Sequence, residues 1–249
     1  MNARLPAVAH TAAPAAIDPA QQIGQIAVQL PGATAVFRRL KLDFCCGGQV
    51  ALRDAAAAKG LDLQALLGEL SALQRPAAPP DAGTPSELID HILARYHEVH
   101  RAQLPELIRM ARRVEAVHRD HPAVPAGLAD ALETMHEELL SHMRKEEMVL
   151  FPMMKTGGHP MAVHPIGVMR TEHTDHGEAL DRLMALTNDT TPPEGACNTW
   201  RALYAGIRQL ADDLVDHIHL ENNVLFPQFE AAPAATAAQG CGPTGCACG

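Results

Sequence analysis

The chain has 249 residues and a formal net charge of −9, with 47 % hydrophobic but only 3 % aromatic residues. Ala, Leu and Met must fill the core, which suits packed helices better than sheets. No run of Lys or Arg offers a nucleic-acid or membrane surface, no apolar stretch approaches the ~20 residues of a membrane span, and no compact apolar leader opens the chain. A cytoplasmic protein is expected, with its six cysteines serving as thiols, metal ligands or redox groups rather than structural disulfides.

Residues 1–20 are Ala/Pro-rich and read as a mobile arm. Residues 21–75 read as a small helical domain: Ile23, Ile26, Ala27 and Leu30 have helical spacing, as does Ala35 to Leu40, and short helices follow at Val50–Lys59 and Leu63–Leu73. Between them lies DFCCGG, Asp43 to Gly48. Residues 76–83 belong to a Pro/Ala linker. Residues 84–230 open on Thr84-Pro85-Ser86-Glu87, where Thr can cap, Pro suits the first helical position and Glu can close a capping box. Four long helices are predicted, near Pro85–His118, Pro125–Met153, Pro165–Leu186 and Glu194–Phe226, with a kink at Pro105. The fold class is therefore all-α, a four-helix bundle with a small N-terminal helical domain. Residues 231–249 form a tail containing Cys241, Cys246 and Cys248, expected to have no fixed structure without a ligand.

The second and fourth bundle helices carry the same segment. HMRKEEMVLFP begins at His142 and HIHLENNVLFP at His217, and both read His-x3-Glu-x4-Phe-Pro. Leu128, Leu132, Met135, Leu139, His142, Glu146 and Val149 form one helical stripe, matched by Leu203, Ile207, Leu210, Leu214, His217, Glu221 and Val224. A His and a Glu one turn apart on an apolar stripe are costly to bury unless a metal ion compensates them. A lone His-x3-Glu is more often a surface pair; two in register, with His on both remaining helices, point to metal. The first helix offers His97 and His100 on the stripe of Ile89, Leu93 and Leu104; the third offers His173 and His176 with Ile166, Met169 and Leu180. One His from each would give four imidazoles and two carboxylates, enough for two non-haem iron ions bridged by carboxylates, with manganese or zinc as alternatives. Spacing alone leaves the choice within each His pair open. His91, His118, His121, His136, His159 and His164 are assigned to surface, loop or supporting positions.

Cys45 and Cys46 are adjacent, and neighbouring cysteines rarely bond to each other. They read either as a reactive dithiol for redox exchange or metal handling, or as incidental thiols in a helix-ending turn. The tail cysteines could bind a soft metal or stay unpaired, and Cys197, near Trp200, reads as structural.

DFCCGG, RYHEVHRAQLPELI, EELLSHMRKEEMVLFP, the EH of RTEHTDHG and DHIHLENNVLFP together resemble the iron–sulfur cluster repair di-iron proteins, the RIC family of YtfE-, ScdA- and NorA-type, from about Gln21 to Pro227. The resemblance implies a hemerythrin-like bundle with an oxo- and carboxylate-bridged di-iron centre held by His97, His142, Glu146, His173, His217 and Glu221, Glu146 and Glu221 bridging. It further implies a role in nitrosative and oxidative stress: repair of damaged iron–sulfur clusters by iron delivery, by binding and reducing nitric oxide, or both, with Cys45 and Cys46 serving the N-terminal domain's part. The expected partners are nitric oxide, proteins with damaged clusters and an electron donor, with a homodimer left open. His176 and the Cys-rich tail go beyond the family's pattern. Two other readings stand beside this one: a binding protein that holds NO or O2 without turnover, and an iron-sensing regulator.

Overall fold

The structure, a computed structural model, describes residues 17–30, 32–73, 83–157 and 160–230. The expectations for the N-terminal arm, the linker, His159 and the three tail cysteines fall outside those residues, apart from 17–20 and Gly83. Among the described residues there is no β-strand, only an isolated antiparallel bridge between Gln22 and Ala51. Among those residues no helix is long and apolar enough to cross a membrane.

The N-terminal part has four short helices: α1 (Ile23–Gln29), α2 (Ala33–Arg39), α3 (Leu52–Ala58) and α4 (Leu63–Ala72). Asp62 caps α4 by accepting from the amides of Gln64 and Ala65. Ile23, Ile26, Phe37, Phe44, Leu52, Leu66 and Leu70 bury a core of their own. α1 and α2 are shorter than a free helix needs in water, so burial against each other and against the bundle must stabilise them.

The first bundle helix is α5 (Pro85–Ile92), a π turn (Leu93–His97) and α6 (Glu98–Val117). It begins with the expected capping box, Thr84 and Glu87 each bonding the other's backbone amide. It runs on through Pro105, and its break in α-regularity lies earlier, at the π turn. The second is α7 (Leu128–Lys145), a π turn (Glu146–Leu150) and α8 (Phe151–Lys155). The third is α9 (Val163–Leu186); the fourth is α10 (Asn198–Leu220) with a π turn (Glu221–Leu225), followed by α11 (Pro227–Glu230).

The π turns correct the apolar stripes. Each inserts one residue into the helical count, so the inward place after Glu146 passes from Val149, which is 51 % exposed, to Leu150, 1 % exposed. In the same way Leu225 rather than Val224, and Ile92 rather than Leu93, is fully buried. The bundle core then divides in two. One cluster centres on Leu104, Leu132, Leu139, Trp200 and Leu214; the other holds Ile92, Leu150, Phe151, Met169, Leu225 and Phe226. The buried polar layer lies between them.

The small domain docks on the bundle instead of hanging from it. Arg38 pairs with Asp212 and Asp216, and Lys41 with Asp189. The Asn222 and Asn223 side-chain amides donate to the Cys45 carbonyl, at 3.1 and 3.2 Å, and Asn223 also reaches the Phe44 carbonyl. Gly24 and Gly48 permit this approach: a Cβ on either would lie 2.7 Å from the Asn223 Oδ1.

Candidate metal centre

His97, His142, Glu146, His173, His217 and Glu221 come together from all four bundle helices, each no more than 1 % exposed. They form two tetrads. His97, Glu146, His217 and Glu221 make one; His142, Glu146, His173 and Glu221 make the other. Within each, one donor atom per residue lies within 4.8 Å of the rest. Both glutamates belong to both groups, one oxygen facing each way. Glu146 Oε2 is 3.4 Å from His97 Nε2 and its Oε1 3.4 Å from His142 Nε2. Glu221 Oε1 is 3.1 Å from His217 Nε2 and its Oε2 3.0 Å from His173 Nε2.

Protein groups alone leave this layer poorly satisfied. His97 Nε2, both oxygens of Glu146 and Oε2 of Glu221 have no aligned hydrogen-bond partner, although they are buried. His142 Nε2 and His173 Nε2 face each other at 3.1 Å, where at most one can donate. Burial, reinforced by Glu221, pushes the Glu146 carboxyl well above the usual range. Burial opposes ionisation of Glu221 too, but His217 and His173 override it and hold its pKa down. Burial lowers His142 to about 4 despite its bond to Glu172. Cations set between the imidazoles and carboxylates would engage every one of these orphaned atoms, so the donor set fits metal.

Three of the imidazoles are held from behind. His97 Nδ1–H donates to Glu147 at 2.7 Å, His142 Nδ1–H to Glu172 at 2.9 Å and His173 Nδ1–H to Asn222 Oδ1 at 2.9 Å. Each bond fixes the tautomer that turns Nε2 into the layer. Glu147 is itself held by Arg101, and Glu172 by Lys145. Bonding to His142 draws the Glu172 carboxyl down to about 2. The pattern follows the repeat: the residue after each shared glutamate, Glu147 or Asn222, supports the His of another helix. The fourth corner breaks it. Tyr96 precedes His97 as Glu172 precedes His173, yet its ring stacks on His217 at 5.2 Å, and His217 Nδ1 has no partner.

His100 and His176 are buried but stand outside both tetrads. Their rings lie 5.5 Å from His217 and 4.9 Å from His142. Burial lowers both to about 3. His176 also lines an open groove of about 590 Å³ with Glu137, Glu138, Lys145, Glu172 and Asp175. His118 and His121 pack on Trp200 at 5.0 and 5.3 Å, with His118 Nε2 3.2 Å from Cys197.

Cys45 and Cys46 sit against the metal layer. Cys46 Sγ is 3.4 Å from the His173 carbonyl and 3.7 Å from Cys45 Sγ. A hydrogen bond from Cys45 holds the Cys46 thiol below its ordinary value, and the same contact with burial raises Cys45. Asn222 ties the two regions together, since its Nδ2 donates to Cys45 while its Oδ1 accepts from His173.

Sequence reasoning missed Glu147, Glu172 and Asn222 as supports, and His219, whose ring lies edge-on to Phe44 at 5.1 Å. One signal was available: the acidic or amide residue after each Glu of the repeat. The contact of Glu172 with His142, 30 residues away, leaves no trace in spacing.

Comparison with known proteins gives the same picture. Residues 88–229 match the hemerythrin HHE cation binding domain, and residues 19–74 match ScdA_N, a domain of unknown function. The chain is 52 % identical over 211 residues to the iron-sulfur cluster repair protein YtfE of Dickeya chrysanthemi, covering 84 % of this chain and 96 % of that protein. It is 52 % identical over 210 residues to the protein of that name from Cronobacter sakazakii and 51 % over 210 to that of Escherichia coli, with 84 % of the chain and 95 % and 96 % of the relatives covered. An all-α bundle with two shared carboxylates, a docked ScdA_N domain and relatives matched almost end to end place this chain in the family of hemerythrin-like YtfE proteins.

Proposed function

We propose that the chain is a cytoplasmic di-iron protein of the nitrosative and oxidative stress response that restores damaged iron–sulfur clusters, by delivering iron, by binding and reducing nitric oxide, or both. The observation that carries this reading is the sharing of Glu146 and Glu221 between two His-containing tetrads. His97 and His217 would hold one ion and His142 and His173 the other, with both carboxylates bridging. Iron bound by such nitrogen and oxygen donors supplies redox change and open positions for a small ligand. The chain's own work is to fix Nε2 of each imidazole through the bonds behind it, and to keep bulk water out with the apolar clusters on either side. The acidic groove over His176 and Glu172 would give iron, as cargo, a favourable route between centre and surface.

Cys45 and Cys46 are the proposed reactive pair. Reducing two NO to N2O and water takes two electrons and two protons; these come in the end from an external electron donor, and the two thiols beside the layer would relay electrons from it or receive iron. The contact of Cys46 with His173 favours this reading over a plain NO or O2 carrier, which needs no dithiol. Anaerobic rapid mixing of the reduced, iron-loaded protein with NO, with N2O quantified, tests it. We expect N2O from the wild type and much less from Cys45→Ser/Cys46→Ser. Stoichiometric NO binding with no N2O, and no iron transfer to an apo cluster protein, would leave the carrier.

A further inference from the structure

The loop that brings the small domain onto the bundle has the shape of a metal chelate. Cys45 Sγ and Cys46 Sγ are 3.7 Å apart and both cysteines are free thiols. A tetrahedral ion with metal–sulfur bonds of ~2.3 Å holds its two sulfurs about 3.7 Å apart. Asp43 Oδ1 lies 3.3 Å from Cys45 Sγ, near the roughly 3.5 Å between an oxygen and a sulfur on such an ion. Oδ1 and the two sulfurs all lie within 4.8 Å of one another.

The loop is also held in that shape before any ion arrives. The Cys46 amide donates to Asp43 Oδ1 at 2.9 Å, and Asn222 and Asn223 grip the Cys45 carbonyl. Adjacent cysteines seldom present both sulfurs to one side, and the backbone here makes them do so. Asp43 is exposed while Cys45 is buried, so an ion could enter from the carboxylate side without opening the fold.

We propose that Asp43, Cys45 and Cys46 form a second cation site, a mononuclear site with two thiolates and one carboxylate for a soft divalent ion of the zinc or ferrous type. Its fourth position is open to water or to a thiolate from a partner. Binding turns two thiols into thiolates and releases their protons to solvent, with no change in oxidation state. The site is distinct from the His/Glu layer, holds the cysteine sulfurs that lie against it among the described residues, and stands whether or not the repair function holds.

Anaerobic titration of the full chain with Co2+ tests this, because the His/Glu layer has no sulfur and cannot give a thiolate-to-cobalt charge-transfer band. We expect that near-ultraviolet band to saturate at one ion in the wild type and to persist in Cys241→Ser/Cys246→Ser/Cys248→Ser. It should be absent from Cys45→Ser/Cys46→Ser, and Asp43→Asn should bind roughly tenfold more weakly. In the wild type itself, Zn2+ should protect Cys45 and Cys46 together from alkylation, read by mass spectrometry, so the outcome does not depend on whether a variant folds. No band in the wild type, a band that survives loss of Cys45 and Cys46 or vanishes with the tail thiols alone, or alkylation indifferent to Zn2+ would overturn the proposal.

Discussion

Glu146 and Glu221 differ from the histidines around them in how much each holds. A shared carboxylate contacts both tetrads, whereas an imidazole contacts one. Glu146→Ala and Glu221→Ala should therefore each lose more than half of the metal after anaerobic reconstitution. His100→Ala and His176→Ala, outside both tetrads, should retain it, as metal analysis will show. The reverse pattern would place the centre on the wrong face. Asn222 is the next most telling side chain, because one amide serves both His173 and Cys45. Asn222→Ala should weaken metal binding ~10- to 100-fold, the usual cost of removing a ligand's hydrogen-bond support. It should also speed amide hydrogen exchange over residues 43–48. Weaker metal binding with unchanged exchange would mean that the two regions are not coupled. Glu147 is the control, since it supports His97 but does not touch the Cys loop.

At the scale of elements, the π turns decide where ligands point. His97 closes one, and Glu146 and Glu221 each open one. A π turn is costlier than α-helix and survives where surrounding contacts hold it. Removing one exposed residue from it, Met148 at 73 % exposure, should restore α-geometry without taking a side chain from the core. The deletion variant should keep its helical circular dichroism and lose metal. Full metal content would make that π turn incidental. Heptad-like spacing sets His142 with Glu146 and His217 with Glu221, because each pair ends where its turn begins. It failed at Val149, Val224 and Leu93, where the inserted residue moves the inward position along by one. A periodicity of 3.6 carries no mark of a local i→i+5 bond, so the shift leaves no sign in the spacing of the side chains.

For the whole molecule the question is how firmly the small domain is seated. Its core is its own, and its polar contacts with the bundle run through Arg38, Lys41, Asn222 and Asn223, beside apolar ones at Val215 and Phe44. We expect residues 84–230 to fold alone and keep their metal, with a lower Tm than the full chain; loss of metal on truncation would show one inseparable unit. His219 makes the seating sensitive to acid. It is 5 % exposed, and burial holds its pKa at about 4, below the 6.5 of a free imidazole. The neutral ring is favoured in the docked state, so the stability it confers is complete above pH 6.5 and is lost as pH falls through 4. The full effect is on the order of 3 kcal/mol. Thermal unfolding between pH 7 and 4 should therefore fall less steeply for His219→Gln than for the wild type. Parallel slopes would assign the acid loss to other buried groups, such as His100 and His176.

The sequence by itself determined the all-α class, the four bundle helices and the inward stripe that carries His142, Glu146, His217 and Glu221, because helical periodicity and a repeated His-x3-Glu are properties of spacing along the chain. It also marked Cys45 and Cys46 as unusual. Spacing left open which member of each His pair faces the glutamates, since His97 and His100, or His173 and His176, are equally inward and differ in the height of the layer they meet; the resemblance implied His97 and His173, and the tertiary structure sets those two beside Glu146 and Glu221. It decided likewise that the Cys loop lies against His173 and that Asn222 joins them, 177 residues from Cys45. Contacts between distant segments arise from packing two cores together, and hydrophobic patterning within a segment says which face is buried but not what will bury it.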